Sequence, residues 1–283
     1  VNAGAPSEDF SALSAEAEAV WAHMRREAED ALRLDASLTP LMLGAILNRT
    51  SLEEAVAHRI AARLGASAID AETIADAFLQ AADDDETIAA AFRADLAAYV
   101  ERDPACGRLI EPLLYFKGFH AIQSARLAHA LWRGRRHDFA YYVQSRASDA
   151  LAADIHPAAR FGKGLFLDHG TGFVVGETAV VDDDVSILHG VTLGGTGKVA
   201  GDRHPKVRRG VMIGAGAKIL GNIEIGACSR IAAGSVVLKS VPPNSIVAGV
   251  PATVVGTESC MEPARDMDQL LRGLAYDSFD YVI

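Results

Sequence analysis

Two short polar stretches carry residue types that do acid–base chemistry. One joins Asp154-Ile-His-Pro157 to Leu167-Asp168-His169-Gly170; the other is Gly201-Asp202-Arg203-His204-Pro205. A carboxylate beside an imidazole fixes its tautomer and raises its basicity, leaving the second ring nitrogen to take a proton from a hydroxyl. For any one of the nine histidines, a surface or hydrogen-bonded role is the default. His169 stands out because Asp154 lies 15 residues before it, close to one 18-residue turn of a coiled repeat. His169 is therefore the candidate general base, and Asp154 the carboxylate that orients it.

The repeat is visible in the second half of the chain. Apolar residues stand six apart at Ile155, Phe161 and Leu167, then at Val175, Val181, Ile187 and Leu193. They resume at Ile213, Ile219, Ile225, Ile231 and Val237. Six is the period of neither a helix nor an alternating strand. It is the hexad of a parallel β-helix, in which three hexads make one triangular coil. A sandwich of short strands fits this grid poorly. The grid slips by two residues after Leu167, and Val199 to Lys206 breaks it, reading as a loop thrown out of one corner. Loops that interrupt a rigid repeat often carry binding groups. Val247-Ala-Gly-Val-Pro-Ala252 closes the prism.

The first half reads as helix. Phe10, Leu13, Val20, Trp21, Met24 and Leu32 form an amphipathic stripe. Ser51 with Glu54 is a capping box for a helix ending at Gly65, Asp70 caps another, and a third starts near Asp85. Pro112 suits the first turn of a helix running through Phe116, Ile122 and Leu127 to about Trp132. The expected fold class is α + β: an α-helical domain over 1–153, a left-handed parallel β-helix over 154–256, and a charged, mobile tail over 257–283.

Composition bounds the chemistry. A formal net charge of −10 argues against an obligate nucleic-acid binder. The three cysteines, Cys106, Cys228 and Cys260, form no CxxC pair and support neither a zinc ribbon nor a disulfide framework. No apolar run reaches the roughly 18 residues of a membrane span, and no signal-peptide pattern opens the chain, so a reduced cytoplasmic setting is the expectation.

The segment from about Asp103 to Gly256 resembles the bacterial serine acetyltransferase family. The matching strings are Pro112-Leu-Leu-Tyr-Phe-Lys-Gly-Phe-His120, Asp154-Ile-His-Pro-Ala-Ala159, Gly176-Glu-Thr-Ala179, Val191-Thr-Leu-Gly-Gly-Thr-Gly-Lys198, Gly201-Asp-Arg-His-Pro-Lys206 and Gly210 to Gly221. The resemblance implies direct acetyl transfer from acetyl-CoA to the hydroxyl of L-serine, with His169 as base and Asp154 as its orienting partner. It implies that Asp103 and Asp168 bind the amino group of serine, and that Arg203 and His204 hold its carboxylate. Acetyl-CoA would lie in a groove between β-helices of a homotrimer, its arm against Gly195, Thr196, Ala215 and Ala233. Lys198, Lys206, Arg208, Arg209 and Lys218 offer charge for its phosphates. No metal is expected. The family also implies a dimer of trimers, inhibition by L-cysteine at the serine site, and docking of the terminal Ile283 into O-acetylserine sulfhydrylase.

Rival readings remain at this level. An acyltransferase for a sugar or drug hydroxyl would keep the hexads and the histidine without needing Arg203 and His204 opposite two carboxylates. A γ-type carbonic anhydrase would use three histidines as metal ligands, but the spacing of His169, His189 and His204 does not suit it. A non-enzymatic scaffold for the sulfhydrylase would not need the His169 constellation.

Overall fold

A computed structural model describes residues 17–197 and 200–269. Phe10, Leu13, Lys198, Val199 and Ile283 lie outside the described residues. Helix α1 (Ala17–Leu34) buries Val20, Met24, Ala28 and Ala31 along one stripe. A short α2 (Thr39–Met42) runs into a single π turn, Leu43–Leu47. Helix α3 (Leu52–Leu64) is capped by Ser51, whose Oγ accepts from the Glu54 N–H at 3.2 Å. The return arm of the cap goes one residue further back than expected: Glu54 accepts from the Thr50 N–H at 2.6 Å. Asp70 caps α4 (Ala71–Asp84), and Asp85 caps α5 (Glu86–Arg102).

The helix expected from Pro112 to Trp132 is two helices, α6 (Ile110–Leu114) and α7 (Lys117–Arg133). The chain leaves helical geometry at Tyr115 and Phe116, and the Phe116 ring packs 6.0 Å from that of Tyr99. Helix α8 (His137–Leu151), which the sequence reading did not single out, then returns antiparallel chain to the start of the β-helix.

The second half is a parallel β-helix with three faces. The first face stacks β1 (Ala153–Ile155), β4 (Phe173–Val175), β7 (Thr192–Gly194), β10 (Lys218–Leu220) and β13 (Val236–Val237). The second stacks β2 (Arg160–Phe161), β5 (Val180–Val181), β8 (Lys206–Val207) and β11 (Glu224–Ile225). The third stacks β3 (Phe166–Leu167), β6 (Ser186–Ile187), β9 (Met212–Ile213), β12 (Arg230–Ile231) and β14 (Ser245–Gly249), with β15 (Ala252–Thr257) added antiparallel as a closing hairpin. The hexad residues fill the prism in register: Ile155, Val175, Leu193, Ile219 and Val237 form one column, and Leu167, Ile187, Ile213, Ile231 and Val247 another. The grid resumes at Val207 rather than Ile213, because buried Val207 continues the column of Phe161, Val181 and Ile225.

We name the corners by the faces they join: corner I lies between the first and second, corner II between the second and third, corner III between the third and first. The two-residue slip falls in corner III, between Leu167 and Val175; the long loop falls in corner I, after Gly194.

The two halves are locked together at the top of the prism. Gly118, at the start of α7, lies so close to the Leu167 carbonyl that a methyl group there would run into it. The buried Tyr99 hydroxyl donates to the same carbonyl at 2.7 Å. Asp95, 1% exposed, accepts from Arg126 at 2.8 Å, Gln123 at 2.7 Å and the Leu165 N–H at 2.9 Å. A buried carboxylate is tolerated because each oxygen is satisfied; removing one member of such a pair typically costs about 3–5 kcal/mol.

The first residues past the prism are docked, where the sequence suggested a mobile tail. Glu258 is buried against Arg230, and the Ala264 carbonyl in α9 (Pro263–Asp266) accepts from the buried Ser186 hydroxyl at 2.6 Å. Among the described residues, no helix is long and apolar enough to cross a membrane.

Candidate active site

Corner III and the helical half enclose a cavity of about 730 Å³. Asp168, His169, Thr171 and His189 line it from the prism; Arg63, Tyr99, Asp103 and Lys117 line it from the helices. The two extra residues of the slip push His169 out of the regular corner, and it adopts a left-handed backbone with φ 58°. Its imidazole is 69% exposed, with Nε2 3.4 Å from Asp168 Oδ2.

Asp168 is the electrostatic centre of the cavity. Burial pushes its carboxyl above the ordinary value and the nearby Asp103 adds to the rise, while His169 and His189 pull the other way. Asp103 ends α5 and accepts from the Ala105 N–H at 2.9 Å, so it is both a turn residue and a cavity wall. Two carboxylates beside an imidazole form a seat for an ammonium group next to a base.

Corner I holds the second polar cluster. His204 is 6% exposed, and its Nδ1 accepts from the Thr178 N–H at 3.1 Å, which leaves the neutral ring's proton on Nε2. Burial holds its pKa below the ordinary histidine value, with Arg203 contributing. Gly176 has no side chain because the His204 ring occupies that space. Arg203 donates to Glu177 at 2.7 Å. His156 is pinned in the same way, its Nδ1 accepting from the Ala158 N–H at 3.1 Å. A guanidinium and two imidazoles suit a carboxylate.

One chain does not bring these residues together. Asp103, Asp168 and His169 share the cavity at corner III, whereas Arg203 and His204 lie at corner I. Asp154 lies on the first face, where it accepts from Gln144 in α8 at 2.7 Å and lines a separate cleft with Tyr141 and Ser145. The pairing of Asp154 with His169 is not made within the chain. Because the first coil is lengthened by the slip, Val174 stands over Asp154, and His169 comes five residues earlier, at the corner. Gly195 and Thr196 begin the corner I loop; Ala215 and Ala233 lie at corner III.

Of the cations offered for phosphate binding, the four among the described residues are engaged internally. Lys206 bonds Asp202 at 2.6 Å, Arg209 pairs with Asp184 at 2.9 Å, Arg208 pairs with Glu224, and Lys218 caps the Gly216 carbonyl at 3.0 Å. Arg63, Lys117 and His189 were not assigned to the site from sequence. Lys117 and Gly118 stand in the Lys-Gly-Phe-His string, which the sequence offered only as a mark of family resemblance. His120 of that string is structural: it is fully buried, bonds the Leu113 carbonyl at 2.6 Å, and burial pulls its pKa down to about 4. Arg63 ends an ordinary amphipathic helix, and no local pattern marks it. Among the described residues, no group of three His, Cys, Asp or Glu side chains is placed to hold a metal ion.

Comparison with known proteins places this geometry in context. A family model described as "Serine acetyltransferase, N-terminal" matches residues 20–124, and one described as "Bacterial transferase hexapeptide (six repeats)" matches residues 204–239. A serine acetyltransferase of Salmonella typhimurium is 46% identical over 266 residues, covering 94% of this chain and 97% of the relative. The crystal structure of serine acetyltransferase from Brucella abortus in complex with coenzyme A superposes with a TM-score of 0.84 at 59% identity, covering 85% of this chain and 96% of that one. A serine acetyltransferase in complex with cysteine superposes with a TM-score of 0.88 at 47% identity, covering 90% and 99%.

The raised pKa of Asp168 has a consequence for stability. An acid held above its ordinary value binds its proton more tightly in the folded chain. The folded state is therefore favoured below 3.8 and loses that advantage as pH rises through the folded value. Asp168→Asn removes the loss, so the variant unfolds at a higher temperature than the native chain at neutral pH, and the gap closes in acid. Thermal unfolding across that range checks this; equal stability at neutral pH contradicts it.

Proposed function

The chain belongs to the serine acetyltransferase family, and from that premise we propose that it transfers the acetyl group of acetyl-CoA to the hydroxyl of L-serine. The observation that carries the reading is the shared cavity of Asp103, Asp168 and His169, an anionic seat beside an exposed imidazole. Asp103 and Asp168 receive the ammonium group, which turns the serine hydroxyl toward His169. His169 takes the hydroxyl proton as the oxygen attacks the thioester carbonyl. The tetrahedral intermediate then expels the CoA thiolate, and His169 returns the proton to it. No acyl-enzyme is required.

The carboxylate of serine needs the cations of corner I, which a single prism holds on a different edge. Three copies around a threefold axis set corner I of one protomer beside corner III of the next. Arg203 and His204 then reach the serine carboxylate across the interface, and Asp154 reaches His169 the same way. Acetyl-CoA runs in the groove between the prisms, against Gly195 and Thr196 on one side and Ala215 and Ala233 on the other. L-cysteine carries the same zwitterion on a side chain of similar size, so it competes for the serine seat and inhibits.

Thiol release from acetyl-CoA is expected with L-serine and not with L-homoserine, galactosides or water. His169→Ala lowers turnover by about two orders of magnitude or more, the usual worth of a general base. Sugar-selective release, or a variant as fast as the native chain, overturns the assignment. The terminal Ile283 is assigned to docking with O-acetylserine sulfhydrylase on the sequence alone. Its deletion is expected to abolish co-purification with that enzyme while acetyl transfer continues; an unchanged complex refutes the assignment.

A further inference from the structure

Helix α8 buries Ala140, Val143, Ala147 and Leu151 on one side. Its other stripe is polar: Tyr141, Gln144, Ser145, Ser148 and Asp149 recur at helical spacing and line a cleft of about 380 Å³ together with Asp154. The helix ends at Leu151. Ala152 then adopts a left-handed backbone with φ 55°, its N–H bonding the Ser148 carbonyl at 3.0 Å, and the chain turns directly into β1. That turn brings Asp154 back under the polar stripe, where the Gln144 side chain donates from Nε2 to Asp154 Oδ1 at 2.7 Å.

This bond anchors one oxygen of the carboxylate and leaves its charge whole. A carboxylate only accepts, so the amide must present its NH2 to it. Among the described residues, no cation pairs with Asp154 and its Oδ2 makes no hydrogen bond. Other acids on or beside the prism are held by guanidinium groups: Glu177 by Arg203, Asp184 by Arg209 and Asp95 by Arg126. A guanidinium offsets the negative charge it holds, whereas a neutral amide fixes the group without doing so. The other titratable groups near Asp154 have partners of their own. Asp149 pairs with Arg146 at 3.1 Å, His156 accepts from the Ala158 N–H at 3.1 Å, and the Tyr141 hydroxyl stands 3.4 Å from His156 Nε2.

We infer that Gln144 is the positioning residue behind the base. It holds Asp154 Oδ1 so that Oδ2, on a carboxylate with no counter-charge, is presented to the partner subunit's His169. The inference rests on the acetyl-transfer reading and the trimer it requires. An exposed aspartate otherwise turns among several rotamers, and an imidazole is oriented only by a partner that is itself fixed. Gln144 touches neither serine nor acetyl-CoA and acts through Asp154 alone. It is half-buried on the polar stripe, away from the apolar side of α8, so its substitution leaves the fold in place.

The test is a double-mutant cycle in steady-state kinetics: Gln144→Met, Asp154→Ala and the two together beside the native chain, with circular dichroism and sedimentation to confirm fold and assembly. Met keeps the unbranched length of Gln and removes its donor. Loss of the group that orients a functional side chain from behind costs about 10- to 100-fold. Gln144→Met therefore lowers kcat by about tenfold or more, while the KM for serine changes by less than about threefold. In the Asp154→Ala background the same substitution lowers kcat by less than about twofold, because the group it acts through is gone. A merely structural role would lower kcat by the same factor in both backgrounds. A Gln144→Met chain with native kcat, a loss confined to KM, or an equal loss in both backgrounds overturns the inference. A native chain that releases no thiol with serine defeats the acetyl-transfer reading instead, so the two failures are distinct.

Discussion

The contact on which the structure turns is the meeting of Gly118 and Tyr99 with the Leu167 carbonyl. It is the point at which the helical half is pressed against the first coil, directly before the corner that carries Asp168 and His169. Gly118 permits the approach, and the Tyr99 hydroxyl satisfies a carbonyl that would otherwise be buried beside helix. The break between α6 and α7 follows from the same demand, since Phe116 turns out of the helix to pack on Tyr99. Because α5 carries Tyr99, the contact also fixes Asp103, four residues on, over the Asp168 carboxylate. Asp95 on the same helix reinforces the joint through Arg126 and Leu165.

The repeat and its two interruptions divide the labour. A regular prism cannot project a side chain far from its corners, because each corner is held by the coil above and below. The two extra residues at corner III accompany the exposed His169, and the loop at corner I carries Arg203 and the buried His204 on another edge. These groups stand on different edges of one prism. In the trimer proposed above, the edge carrying the base in one protomer meets the edge carrying the cations in the next. On that proposal the chemistry is coupled to assembly.

Much of this was legible in the sequence, for physical reasons that differ by region. The hexads were readable because each apolar residue fills the same slot in the prism; Val207 escaped because the long loop before it hides the phase. The caps at Ser51 and Asp70, and a helix start near Asp85, were local signals. The break at Tyr115 and Phe116 was not, because a contact with Tyr99, distant in sequence, overrides local helix preference. Residues 258–268 read as a charged tail, but Glu258 is paired with Arg230, a partner that only the fold supplies. His169, Asp168 and Asp103 line one cavity, a grouping that the sequence offered only through the family resemblance. Asp154 does not join them, because counting residues along a coil ignores the slip that lengthens it.

The central claim is that the reaction site is shared by neighbouring protomers. The most direct test is the activity of mixed trimers made by co-expressing His169→Ala and Arg203→Ala chains under different tags and purifying for both. Every mixed trimer has one interface at which an intact corner III meets an intact corner I, so at low serine about a third of the native activity is expected, well above either parent. Mixed trimers no more active than the average of the two parents would place both halves of the site within one chain and contradict the account.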